Sequence, residues 1–127
     1  MVTTPISSHA LKNGLTLRFL DESKKIAGDR WYVCVQVSIK IPVEKKWFAD
    51  YPMDDAQFNQ ITRVLGNEVV FRQKKERNFI SDEVKTQVVN EIRESTMETG
   101  LTYFGSDAFA AKFILKAYAD RRKPHLY

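Results

Sequence analysis

Cysteine, histidine and glycine are all scarce in this chain of 127 residues, and each shortage excludes a chemistry. Cys34 is the single thiol, so no intrachain disulfide can form and a reducing, cytoplasmic compartment is expected. His9 and His125 are the two histidines, and with Cys34 they sit in three distant segments without any paired ligand spacing. No metal site and no cofactor are expected from them. The five glycines (Gly14, Gly28, Gly66, Gly100, Gly105) are scattered singly, so no phosphate-cradling loop is formed. Long apolar runs are missing too. Nothing approaches the roughly 18 residues of a membrane span, and the opening MVTTPISSHAL has neither the basic nor the apolar part of a secretory leader.

Strong charge of one sign is also absent. Twenty basic against sixteen acidic residues leave +4, which suits solubility and falls short of a dedicated nucleic-acid binder. What remains is 43% apolar residues in a chain long enough to bury about two-thirds of its unfolded surface, so a core can form without metal or disulfide. No repeat, linker or low-complexity tract divides residues 1–127, which read as one globular domain with a short basic tail at 121–127.

The strongest pattern is strict alternation from Arg30 to Ile41, with Trp31, Val33, Val35, Val37, Ile39 and Ile41 on one side, which predicts a long strand with one buried face. Leu15, Leu17 and Phe19 repeat it over a shorter strand. With Ser23–Asp29 as the link, an antiparallel hairpin is expected that sets Leu17 against Val35, Phe19 against Val33, and Arg18 against Cys34. Cys34, inside a regular strand, is then a packed thiol and not a nucleophile. In this register Ser38 to Val43 lacks a partner, which Glu68–Ile80, the residues before Asn13 or a second copy of the chain could supply.

Pro42 stops the long strand, and KKWFADYP follows as an aromatic loop. Asp54 and Gln57 form a capping box for a helix carrying Phe58, Ile61 and Leu65, closed by Gly66. Glu68 to Ile80 is β-prone and polar in its middle, as an edge strand would be. Ser81 is expected to cap a second helix with Val84, Val88, Ile92 and Thr96 as its stripe, Val89 beside it, and Gly100 as its stop. Ser106 caps a third, ended by Pro124. The whole predicts an α+β fold: a small, mainly antiparallel sheet of about three strands with two to three helices on one face.

No catalytic constellation emerges. Asp21, Glu22, Asp29 and Arg30 meet at the hairpin end, where turn and local charge contacts account for them. The expected function is a small cytoplasmic protein-interaction module, self-associating as a homodimer or binding a protein partner. Its candidate surface combines Trp47, Phe48 and Tyr51 with Arg72, Lys74, Lys75 and Arg77. The alternative is nucleic-acid binding, in which the basic stretches 72–77 and 121–123 track phosphates while the aromatics of 47–51 stack on bases.

Overall fold

A computed structural model describes residues 3–122. The helix stop expected at Pro124, the basic residue Lys123 and the imidazole of His125 lie outside them. The elements are β1 (Thr4–Ala10), β2 (Thr16–Asp21), β3 (Lys24–Ala27), β4 (Arg30–Pro42), a 3-10 turn (Lys45–Phe48), α1 (Asp55–Leu65), β5 (Glu68–Ser81), α2 (Lys85–Phe104) and α3 (Asp107–Arg122). Three helices and an antiparallel sheet make the fold α+β, with five strands where about three were expected.

β4 is the axis of the sheet. Its alternation buries Val33, Val35, Val37, Ile39 and Ile41 completely against the helical layer, with Leu17 and Phe19 of β2 beside them. On one flank β2 and then β3 pair with it, and β1 pairs with β2 beyond; on the other flank β5 follows it from Pro42 to Arg30. The partner of Ser38–Pro42 is therefore β5, with Ser38 opposite Arg72 and Ile41 opposite Val69.

The β2–β4 register departs from the expected one by four residues: Phe19 faces Val37 and Asp21 faces Val35. The reason lies in Ser23–Asp29, which is mostly strand instead of loop. Lys24 and Lys25 pair with Tyr32 and Trp31, and only Gly28 and Asp29 make the turn, with Gly28 at φ 56 as the first central position of a type II′ turn requires. A shift by an even number keeps each side chain on its own face, so the core is unchanged. At the join of β2 and β3 the amide of Glu22 donates to the Cys34 carbonyl, and the Cys34 amide donates to Ser23 Oγ. Cys34 is buried as expected, but its neighbour across the strands is Glu22 and not Arg18.

α1 forms as its capping box predicts, with Gln57 N donating to Asp54 Oδ1 at 2.8 Å and Asp54 N to Gln57 Oε1 at 3.1 Å, and Gly66 closes it at φ 81. α2 departs from expectation at both ends. Ser81 is the last residue of β5, and the helix starts only at Lys85. The intervening residues are held to the hairpin instead, because Asp82 N donates to the Asp29 carbonyl and Trp31 Nε1 to Asp82 Oδ1. Val84 is left exposed, Val88 is half-buried, and the buried stripe is Val89, Ile92, Thr96, Gly100 and Phe104. Gly100 lies inside the helix: a Cβ there would stand 2.8 Å from a ring carbon of Phe104. The glycine admits that ring and does not end the helix. Ser106 Oγ accepts from Phe109 N and caps α3 as expected.

Candidate functional site

α2 packs on the face of the sheet that carries the β4 valines and isoleucines, α3 reaches β5 and the 3-10 turn, and α1 packs on α3 and adds Ile61 and Leu65 to the same core. The opposite face bears Arg18, Gln36, Lys40, Arg72, Lys74 and Glu76. It is the solvent face. Glu22, at the end of β2, crosses β4 to meet Lys74 at 3.8 Å and accepts from Gln36 Nε2 at 3.3 Å. Tyr32 shares this face with Cys34 and Glu76; hydrogen bonding to Cys34, then burial, then the Glu76 carboxylate hold the phenol above its ordinary value.

Trp47 and Phe48, expected on the surface, are buried at 3% and 4% exposure. Trp47 Nε1 donates to the Pro42 carbonyl, and Phe48 meets Phe58 and Tyr51 edge-on. They fix the chain where it leaves β4. Tyr51 is half-buried and lines a groove of about 650 Å³ with Met53, Ile61, Leu115, Tyr118 and Arg122. The aromatics of 47–51 therefore do not join the basic run of β5 as a stacking surface.

The basic run itself is divided by the pleat. Arg72 and Lys74 stand opposite Ser38 and Gln36 on the solvent face, whereas Lys75 and Arg77 stand opposite Val35 and Val33 on the helical face, beside Glu91 and Ser95 of α2. Because β5 is the last strand, both sets converge on its outer edge. α3 adds Lys112 and Lys116, which with Arg72 surround a groove of about 300 Å³ floored by Phe71, Phe109 and Phe113. Phe71 meets the rings of Phe104, Phe109 and Phe113 at 5.3 to 5.5 Å. Arg72, Lys75, Lys112 and Lys116 form no ion pair among the described residues.

Near its end β5 carries one extra residue against Trp31–Val33 of β4, and within this bulge Phe79 adopts φ 61 while remaining 68% exposed. A bulky side chain in the left-handed region costs about 1–3 kcal/mol. The Arg30 guanidinium lies over its ring, 5.7 Å from the centroid. Sequence reading missed Phe79, since nothing local marks a positive φ on phenylalanine. It also missed Lys112 and Lys116, because nothing in the sequence brings α3 beside β5.

The hairpin carboxylates have structural partners. Asp29 contacts Arg30 at 3.7 Å, and Asp21 pairs with Lys85 at 3.0 Å. Burial opposes ionisation of Asp21, but the Ser23 side chain and amide together with Lys85 outweigh it and hold the carboxyl below its ordinary value. Lys85 in turn lies 4.8 Å over the Trp31 ring, which docks the start of α2 on the sheet. At the first residue of α1, the exposed carboxyl of Asp55 is likewise lowered by its hydrogen bond to Lys45.

Among the described residues no three His, Cys, Asp or Glu side chains are grouped as a metal site requires, and no helix is long and apolar enough to cross a membrane. Comparison with family models, with curated proteins and with solved structures finds no match, so the geometry of β5 and its surroundings is the ground for a functional reading.

Proposed function

We propose that the chain is a small cytoplasmic protein-interaction module that receives its partner along the outer edge of β5. The observation that carries this reading is the edge itself: fourteen residues of strand, hydrogen-bonded to β4 on one side and, among the described residues, to no strand on the other. Such an edge offers a row of backbone donors and acceptors to an extended segment, which is the basis of recognition by strand addition. Phe79 supports the reading, because a strained and exposed aromatic at the end of the edge serves the monomer poorly and a partner well. Self-association was expected because Ser38–Val43 lacked a partner; β5 supplies it, and that ground is gone.

A photo-crosslinking residue at Gln73, exposed on β5, compared with one at Ser8, exposed on β1, tests the proposal in living cells. Discrete adducts from position 73 and none from position 8 are expected. The same adducts from both positions, or none from position 73, would reject it.

A further inference from the structure

We infer that the occupant of the β5 edge is an extended acidic segment of another protein, seating an apolar side chain in the groove between β5 and α3. This rests on the proposed use of β5 and adds the chemistry of the partner. The charge argument has two parts. Within the run 72–77 four cations (Arg72, Lys74, Lys75, Arg77) stand with one carboxylate, Glu76; Glu22 meets Lys74 alone, and α3 adds Lys112 and Lys116 beside Arg72. A second copy of β5 would bring the same run. Centred on Lys74 or Lys75, a two-fold pairing sets a lysine against itself; centred between them, it sets Lys74 against Lys75 and Arg72 against Arg77. Like charges directly opposite destabilise a strand pair, so the edge is defended against its own kind. Carboxylates in the same positions reverse the sign of every one of those contacts.

The groove supplies the second element of recognition. Phe71, Phe109 and Phe113 floor it, Tyr103 stands 55% exposed at its side, and Arg72, Lys112 and Lys116 rim it. Phe71 and Arg72 are consecutive residues of β5, so a strand laid along the edge passes the groove. Its alternate side chains then divide as those of β5 do, one set toward the aromatic floor and the other toward Arg72 and Lys74 on the solvent face. An apolar side chain buried among aromatics and ringed by cations selects for both properties together.

The test uses the whole chain and three capped decapeptides: glutamate alternating with valine, lysine alternating with valine, and the first composition rearranged into a glutamate block and a valine block. Fluorescence anisotropy gives affinity and amide hydrogen exchange locates protection. The alternating acidic peptide is expected to bind below about 1 mM and to slow exchange in residues 69–77; the block and lysine peptides are expected to be at least about tenfold weaker. The variant K112E/K116E, altered at two exposed positions of α3, should lose about tenfold for the acidic peptide. If that peptide protects β5 but K112E/K116E binds it undiminished, the edge reading stands and the groove inference falls. Equal binding of the block peptide reduces the effect to bulk charge and overturns the inference. No protection of β5 by any peptide overturns both, and displacement of the acidic peptide by a single-stranded oligonucleotide at lower concentration assigns the cations to nucleic acid instead.

Discussion

β1 and β5 both end the sheet, but they are closed to intruding strands by different means. β1 has seven residues, carries Pro5 in place of a donor at its second position, and breaks register with β2 between Pro5 and Ser7. Those features disrupt the backbone ladder and so discourage any added strand. β5 runs for fourteen residues with an unbroken ladder from Glu68 to Arg77, and its protection is charge. Backbone blunting is indifferent to the partner; charge is selective. One edge is sealed and the other is filtered.

The sharpest way to break this contrast is to undermine the strands themselves. Phe71→Ala removes a ring that meets three others beneath β5 and should cost about 3 kcal/mol in denaturant unfolding, whereas Ile6→Ala on β1, half-buried, should cost about 1 kcal/mol. Equal losses would mean that β5 is no better anchored than β1. Next, Arg72, Lys74, Lys75 and Arg77 all changed to Gln should raise the self-association constant at least about tenfold in sedimentation velocity, relative to the native 14.7 kDa chain. A variant that associates no more than the native chain would show that something other than charge guards β5.

Phe79→Gly should raise unfolding stability by about 1 kcal/mol, because glycine adopts φ 61 without strain and the ring buries little. A fall in the midpoint would remove the argument that this residue is retained for a partner. The smallest effect belongs to the β1 side, where Asp21 faces Thr4 and binds Lys85. Its carboxyl is lowered in the fold, so its contribution is complete above the ordinary value of 3.8 and is lost as pH falls through the lower folded value. Asp21→Asn should flatten that part of the acid limb by less than about 1 kcal/mol. An unchanged acid limb would show that Asp21 does not titrate in this way.

How far these regions were legible in the sequence follows from what each signal encodes. Alternation reports which residues share a face, so the buried side of β4 was readable residue by residue. It does not report register, and the four-residue offset turned on whether Lys24–Ala27 was loop or strand, which polar residues on an exposed strand conceal. Capping residues were legible where nothing competed, as at Asp54 and Ser106. They misled where a tertiary contact intervened: Asp82 is drawn to Trp31, so the helix begins past Ser81, and Gly100 answers to the Phe104 ring instead of to the helix end. The basic run of β5 was visible, but its division between two faces and its reunion at the edge with Lys112 and Lys116 needed the third dimension. Trp47 and Phe48 look like surface aromatics in a charged loop until the indole is seen bonded to Pro42.

The separation of β4 from β5 along the chain has a consequence for synthesis. β4 is complete at Pro42 and its long partner only at Ser81, with the 3-10 turn and α1 between them. At about 5–20 residues per second, the ribosome leaves that flank without its partner for roughly 2–8 s. During this interval the most apolar stretch of the molecule, Val33 to Ile41, has only the short β2–β3 side to pair with. The nascent chain is therefore most vulnerable to misassembly in the window that closes when RQKKER is laid down. Slowing translation between codons 43 and 81 should lower soluble yield, whereas the same delay placed after codon 81 should not.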